Sequence, residues 1–561
     1  MKKKILCLAL CALMIVASFV GCGEKSRDML MNQIGEESSY GAATLVMYIL
    51  AEEKVSAEQE ILVENAVNDI VDAYKIKLDL RYHTAEDYYK TLEKNMEEFK
   101  AYNTSGSKKE TEAPVYTDEN GLPVTYYPPS KDFQVDLFYF GGYDKYMQYK
   151  DAGYFADFSG ELINSASLLK SGISSALYEN VKAVNGTYNM MPVNSAIGEY
   201  TYLLVNKGLV STQIKAEEIS SLTCDECVDL LEMVDKYYTD YVPLYSSEGI
   251  LALDDVKFFN ADAKGFASQD FSILAGTYNS DWKYGATNAY PVMSGMNATV
   301  DNGSKTVADQ IKILKNYEFN GYYATEEEAD KPFAVGYVKG GLDVLETYGD
   351  DYEIVVLDTP TLKTEDLYKN AWAISSQTNS LSSSARILAE LYTNEELINI
   401  LTNGVEGENY IWRESEVLDK NDEPYRVIEK QAKDERYVYN IDPYKMGNVA
   451  NIYSSTNEDP KRAERILEQN GDVKKDLLLG YTLYGSGLKL DSMVKVAEYS
   501  KTAYDKLVAA KDSAALDAAF AEIDIMLASE EVKAILEGDI AAHYMKWLTD
   551  KKIYVAPTEA A

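Results

Sequence analysis

The sequence predicts an α/β fold with two lobes and a helical C-terminal segment. With 561 residues, the chain is long enough for more than one domain. Strand-like and helix-like patterns alternate from about residue 42, and the same alternation recurs after residue 200. The order strand, helix, strand, helix, strand favours parallel strands joined by right-handed crossovers, and hence an open α/β sheet.

The first lobe begins with three predicted strands separated by helices. In chain order these are a strand at 42–50, a helix capped by Ser56 and Gln59, a strand at 76–82, a helix from Thr84 and a strand at 135–140. The first strand is continuously apolar, which is typical of burial on both faces, whereas the second alternates apolar with polar residues. Residues 104–131 are rich in Ser, Pro, Gly and charge, which predicts a surface insertion.

The rest of the chain repeats this organisation. Further strands are predicted at 200–206, 333–337, 354–357 and 371–374, each next to a helical pattern. Helical periodicity dominates residues 492–550. No short internal repeat is present in the sequence, and no stretch after the N-terminal segment holds 18 consecutive apolar residues.

The charge balance excludes one large class of partners. There are 91 acidic and 54 basic residues, a formal net charge of -37. Nucleic-acid binding requires Lys and Arg to neutralise phosphates, and the sequence has no basic stripe of adequate size. We therefore expect no nucleic-acid partner and a strongly acidic, solvated surface.

The N-terminus has the pattern of a secretory signal peptide. Three lysines, Lys2 to Lys4, precede an apolar run that is shorter than a bilayer span and ends in small residues before Cys22. This segment resembles the bacterial lipoprotein processing box, which implies that residues 1–21 are removed and Cys22 is acylated; the alternative is an ordinary signal peptide with a bystander cysteine. Residues 22–40 are polar and predict a flexible tether, so the protein would be anchored to a membrane and not threaded through it.

Histidine and cysteine offer little chemistry. The only two histidines, His83 and His543, are far apart in sequence, and nothing around them indicates a catalytic triad. Cys224 and Cys227 form a C-x-x-C pair in a helical context, where two half-buried thiols are the simplest interpretation and a disulfide or redox role is the alternative. Zinc would need two further ligands that are not nearby, so we expect neither a metal nor a cofactor.

Several blocks, taken in order, resemble the extracellular solute-binding proteins of ABC importers, in particular the family 1 type with its sugar-binding members. They are residues 135–146 with 150–157, residues 184–192 with 197–207, residues 331–341, residues 372–375 and residues 404–410. Each block alone is weakly specific, and Val205 stands where the family motif has an aromatic residue. Their order and spacing over about residues 40–490 carry the resemblance.

The resemblance implies a two-lobed, type II periplasmic-binding-protein-like fold with a hinge, in which the lobes close on a solute like a trap. The expected N-terminal lobe is 41–198 plus about 370–435, and the expected C-terminal lobe is 199–369 plus about 436–561. The crossings are placed near 196–200, near 359–371 and near 430–445. The ligand is expected at the carboxyl ends of the sheets.

The 46 tyrosines and four tryptophans supply many rings on which the C–H faces of a sugar can stack. Most of these rings must be core or surface residues, so candidates are chosen by position at expected strand ends or crossings. They are Tyr143, Asp144, Glu199, Tyr200, Trp282, Tyr284, Trp372 and Glu406. For each of them a structural role is the alternative, and Glu406 and Asn409 would then cap a helix or hold the lobes together.

The resemblance therefore implies a monomeric, lipid-anchored protein on the extracellular face of the cell membrane. It would capture a carbohydrate, in particular an oligosaccharide, and deliver it to the transmembrane permease subunits of an ABC importer without catalysis. One alternative is a secreted glycoside hydrolase, which needs only two carboxylates, although the eight strand-helix repeats of a barrel are missing from the sequence. Others are the importer role with a peptide or another polar solute, and a surface adhesion protein, for which repeats or β-sandwich alternation would be expected.

Overall fold

The computed structural model describes residues 42–534 and residue 550, apart from several internal segments. The segments outside the description are 106–115, 118–122, 162–168, 211–218, 220–224, 248, 253–259, 262–266, 269–298, 301–304, 325–330, 477–478 and 481–501. The predicted signal peptide, Cys22 and the tether all precede residue 42 and therefore lie outside the described residues, as do Cys224, Trp282 and Tyr284.

The strands of two main sheets and one long hairpin are β1 (Ala43–Ala51), β2 (Ile76–Thr84), β3 (Leu137–Phe140), β4 (Met191–Pro192), β5 (Tyr200–Asn206), β6 (Val242–Ser246), β7 (Tyr323–Ala324), β8 (Phe333–Gly340), β9 (Tyr352–Asp358), β10 (Ala371–Ile374), β11 (Tyr410–Leu418) and β12 (Pro424–Lys430). Two-residue strands also pair at Tyr116–Thr117 with Pro123–Val124, within the predicted insertion, and at Thr361–Leu362 with Lys474–Lys475.

The longer helices are α1 (Ala57–Val71), α2 (Tyr88–Thr104), α3 (Tyr143–Ala152), α4 (Ser175–Asn185), α5 (Asp225–Tyr237), α6 (Val307–Phe319), α7 (Leu381–Thr393), α8 (Glu395–Asn403), α9 (Arg462–Gly471) and α10 (Ser513–Leu527). Short helices occupy Lys207–Val210, Asp343–Tyr348 and Glu530–Lys533. No helix among the described residues is both long enough and apolar enough to cross a membrane.

The first compact unit contains a five-stranded sheet in the order β2, β1, β3, β10, β4. Strand β1 is parallel to both β2 and β3, as the sequence predicts. All but one of its residues are buried, as its continuous apolar run predicts. In contrast, β10 is antiparallel to β3 and β4, because residues 196–366 intervene and no single helical crossover joins β10 to its neighbours.

The second compact unit contains its own five-stranded sheet in the order β7, β6, β8, β5, β9. Here β6 is parallel to β7 and β8, and β5 runs antiparallel to β8 and β9. A layer of buried rings packs on this sheet, with Phe333 stacked 4.4 Å from Tyr352 and 4.9 Å from Tyr245, centroid to centroid. Each unit therefore has a core of its own.

The chain divides into the two units after Ser195, after Asp366 and after Leu467. The first two divisions lie three residues before the positions expected from the sequence. The assignment of residues 436–467 to the C-terminal lobe is wrong, because this segment is held by the first unit. The buried Tyr439 hydroxyl donates to the Leu401 carbonyl at 2.7 Å, and the Asn194 amide donates to Asn448 Oδ1 at 2.7 Å.

Candidate functional site

Polar groups from distant parts of the chain meet at the carboxyl edge of the first unit's sheet. The parallel strands β1 and β3 end here, so Glu52 and the pair Gly141–Gly142 follow them at this edge. Asn370 precedes the antiparallel β10 and therefore lies at the same edge. Ligands of open α/β sheets bind at the carboxyl ends of the strands, which makes this edge the candidate site of the first unit.

A short turn, Pro443–Lys445, completes the edge. It is a single 3₁₀ turn capped by Asp442, whose Oδ1 accepts the Tyr444 N–H at 2.9 Å, and its Pro lies at the first helical position. Tyr444 is 45% exposed. An exposed ring on a capped turn is a preorganised stacking surface.

Trp372 in β10 and Asn370 just before it hold this turn by hydrogen bonds to its backbone. The Trp372 indole N–H donates to the Lys445 carbonyl at 2.9 Å, and Asn370 Nδ2 donates to the Tyr444 carbonyl at 3.0 Å. Asn370 Oδ1 in turn accepts the hydroxyl of the buried Tyr139 at 2.6 Å. Burial raises the pKa of Tyr139, so its hydroxyl stays a donor at neutral pH.

The turn also places a cation between two carboxylates. Lys445 Nζ lies 2.7 Å from Glu52 Oε1 and 3.3 Å from Asp442 Oδ2, and all three side chains are partly exposed. Burial lowers the pKa of Lys445, but the hydrogen bond to Glu52 and the charge of Asp442 outweigh it, so the net pKa is raised. The edge thus offers charged donors and acceptors side by side to a ligand.

Tyr89 borders the same edge from helix α2. Its hydroxyl accepts the Gly141 N–H at 3.1 Å, which ties the start of α2 to the loop after β3. Lys145 Nζ lies 4.7 Å from the centre of the Tyr89 ring and 2.7 Å from Glu93 Oε1. This half-buried ring, together with Tyr444, gives the edge two aromatic side chains.

Two of the predicted residues, Tyr143 and Asp144, begin α3 at this edge. Tyr143 is buried, and its ring packs 4.9 Å from Tyr368 and 6.0 Å from Tyr146. Asp144 is exposed in the first turn of α3, where a negative charge is favourable to the helix dipole. Tyr143 therefore supports the edge through an aromatic cluster, while Asp144 faces solvent beside it.

The structure places Trp372 in the core and Glu406 on an exposed turn. Trp372 lies in the core of the first unit at 1% exposure, and it acts on the edge through its hydrogen bond to Lys445. Glu406 is exposed on the turn after Gly404. That turn is held by Asn409, whose Oδ1 accepts the Val405 N–H at 2.8 Å.

The remaining described candidates, Glu199 and Tyr200, belong to the second unit. Tyr200 begins β5 at the carboxyl ends of β6 and β8, and its hydroxyl donates to Asp472 Oδ2 at 2.9 Å. Its ring stacks 5.5 Å from Tyr202, and burial, aided by the charge of Asp343, raises the pKa of Tyr202 to about 12. Glu199 is exposed next to it. The two adjacent residues predicted from the sequence therefore lie at the carboxyl edge of the second unit's sheet.

Most of the groups that form the first unit's edge are not among the residues predicted from the sequence. These are Glu52, Tyr89, Asn370, Asp442, Tyr444 and Lys445. The run Asp442-Pro443 is an N-cap followed by Pro at N1, and it could have indicated a capped turn. The turn lies inside the crossing expected near 430–445, but none of its residues is among the predicted site residues.

Among the described residues, no group of three or more His, Cys, Asp or Glu side chains is arranged to hold a metal ion. Cys227, the described member of the C-x-x-C pair, is buried on α5. The edge of the first unit consists of hydrogen-bonding groups and aromatic side chains.

Comparison with solved structures shows the fold. The N-glycan transport solute binding protein NgtS from Streptococcus pneumoniae superposes with a TM-score of 0.53 at 17% identity, covering 91% of this chain and 100% of that chain. The chain therefore has the α/β fold of a solute-binding protein, which confirms the predicted fold class.

Two further structures are similar at lower TM-scores. NgtS in complex with Man5GlcNAc has a TM-score of 0.41 at 18% identity, with 91% of this chain and 99% of that chain covered. An ABC-transporter-associated solute binding protein from Bifidobacterium longum infantis, described as HMO binding, has a TM-score of 0.44 at 12% identity, covering 91% and 100%. No family model matches the sequence, and no curated protein matches it.

Proposed function

We propose that the protein is the extracellular, lipid-anchored solute-binding protein of an ABC importer and that its solute is an oligosaccharide. Its fold is that of a solute-binding protein, and the similar NgtS is an N-glycan transport protein. The protein acts as a monomer that hands its solute to transmembrane permease subunits, and it needs no cofactor.

The observation that carries the proposal is the group around Tyr444 at the first unit's carboxyl edge. An exposed ring is held on a capped turn, directly beside the Lys445 ammonium and the carboxylates of Glu52 and Asp442. Sugars present C–H faces to rings and hydroxyls to charged or amide groups. Both kinds of contact are available here within one short segment.

The same geometry favours binding over hydrolysis. A glycoside hydrolase needs two carboxylates that flank a glycosidic oxygen, with one of them acting as the acid. At this edge the space between Glu52 and Asp442 is occupied by Lys445 Nζ, which lies within 3.3 Å of both. These two carboxylates are therefore ion-pair partners and suit hydrogen bonding to a solute.

The function is tested by thermal unfolding of a soluble form that begins after Cys22, against oligosaccharides, peptides and amino acids, with product analysis of each mixture. A ligand at 100 times its Kd should stabilise the protein by about 2.7 kcal/mol. We expect a raised midpoint with an intact glycan. Cleavage of the glycan would instead support a hydrolase, and a shift with peptides alone would keep the importer role and remove the sugar.

The membrane anchor is proposed from the sequence, with acylation of Cys22 and removal of residues 1–21. Expression of C22A and of the wild type in a bacterial host that processes lipoproteins tests it. We expect wild-type protein in the membrane fraction with a lipid-bearing N-terminal peptide, and C22A released to the medium. Equal release of both proteins would refute the anchor and leave the binding function untouched.

A further inference from the structure

A cleft of about 680 Å³ runs between helices α2 and α3 of the first unit. This volume is in the range of small-molecule sites, about 300–1,000 Å³. One end of the cleft is bordered by Tyr89, whose hydroxyl accepts the Gly141 N–H at the carboxyl edge. Tyr89 therefore borders both the cleft and the candidate site.

The other end of the cleft is bordered by Glu97, Ala152 and Tyr154. The Tyr154 hydroxyl donates to Glu97 Oε1 at 2.6 Å, which fixes both side chains. From Tyr89 to Glu97 is eight residues along α2, or about 12 Å at 1.5 Å per residue. A compact solute bound at the carboxyl edge would leave this end empty, whereas an extended chain could fill it.

The lining of the cleft suits a chain of hydroxyl-bearing units. Both kinds of charge lie along α2, where Glu93 follows Lys90 and Glu97 follows Lys94, each three residues on. A sugar hydroxyl is both donor and acceptor, so each unit can pair with groups of both kinds. Gln148 on α3 adds an amide on the opposite wall.

We propose that the α2/α3 cleft is an extended glycan subsite, so that the protein takes chains of several sugar units with one end at the carboxyl edge and the rest along α2. This inference rests on the proposed function and adds chain-length specificity to it. It predicts that changes near Ala152 and Gln148 affect long glycans and spare short ones.

The test is calorimetric titration of the soluble protein with the N-glycan fragments Man5GlcNAc and Man1GlcNAc. A152W fills the far end of the cleft, and A101W is its control, since Ala101 is exposed on α2 outside the cleft lining. Q148A removes one polar group from the cleft without adding bulk, so it still tests the cleft if A152W disturbs folding. Thermal midpoints verify that each variant is folded.

We expect A152W to weaken Man5GlcNAc binding at least 10-fold and Q148A about threefold, while A101W and all affinities for Man1GlcNAc change less than twofold. If wild type binds both glycans and neither cleft variant affects Man5GlcNAc selectively, the extended subsite is refuted and the proposed function stands. If wild type binds neither glycan, this class of solute is refuted, and the subsite with it.

Discussion

Replacing Asn370 by Ala should loosen the Tyr444 turn and destabilise the first unit. Asn370 joins the buried Tyr139 hydroxyl, at 2.6 Å, to the Tyr444 carbonyl, at 3.0 Å. Leaving the Tyr139 hydroxyl without this acceptor costs about 1–3 kcal/mol, and the partly exposed bond to Tyr444 adds about 0.5–1.5 kcal/mol. We therefore expect N370A to lower the free energy of unfolding by about 3 kcal/mol.

A double-mutant cycle with Y139F isolates the contact. In the Y139F background no hydroxyl is left to orphan, so N370A should cost about 1–2 kcal/mol less than it does in wild type. The measurement is urea unfolding followed by circular dichroism, with the free energy taken from the midpoint and slope. N65A, at an exposed position of α1, is the control and should change stability by less than about 0.5 kcal/mol. Additive effects of Y139F and N370A would refute the proposed anchoring of the turn.

Two further changes test the backbone and the acid response of the first unit. Gly142 has φ +91° and ψ 152°, a conformation that only glycine adopts easily, so G142A should lower the free energy of unfolding in urea by about 1–3 kcal/mol. The control is G160A, at an exposed glycine with open space around it, which should change that free energy by less than about 0.5 kcal/mol. Equal effects of the two substitutions would contradict this. Burial first, and then the Arg81 cation, lower the pKa of His83 against the opposing charge of Asp87. Because the unfolded chain then takes up the proton more readily, stability should fall as pH drops through the window below about 6.5, and H83Q should flatten that slope. An imidazole midpoint at or above 6.5 by NMR would be the contrary result.

The sequence predicts the elements of the sheets well because their patterns are local. The continuous apolar run at 42–50 becomes β1 at Ala43–Ala51, and the Ser56 cap precedes α1 at Ala57. The Ser56 hydroxyl accepts the Gln59 N–H at 3.1 Å, as the capping pattern predicts. Strand burial and helix caps depend on neighbouring residues, so periodicity and spacing suffice to find them.

The candidate site is harder to predict because it is assembled from residues that are far apart in sequence. Lys445 meets Glu52 across 393 positions, and no local pattern marks either residue. Trp372 is predicted as a site residue from its position near an expected crossing, but its ring lies in the core, and only its N–H supports the edge by donating to the Lys445 carbonyl. Whether an aromatic side chain is a ligand platform or core depends on tertiary packing, which composition does not encode.

The most direct test of the central claim is calorimetric titration of an intact glycan, identified by the thermal panel, into wild type and Y444A. Tyr444 is exposed, and its turn is held by backbone groups and by Asp442, so Y444A should fold normally. Y237A removes an exposed ring from α5 of the second unit and is the matched control. Loss of one stacking ring should weaken binding about 10-fold in Y444A and leave Y237A unchanged. Wild-type affinity in Y444A would contradict the assignment of the solute site to this edge of the sheet.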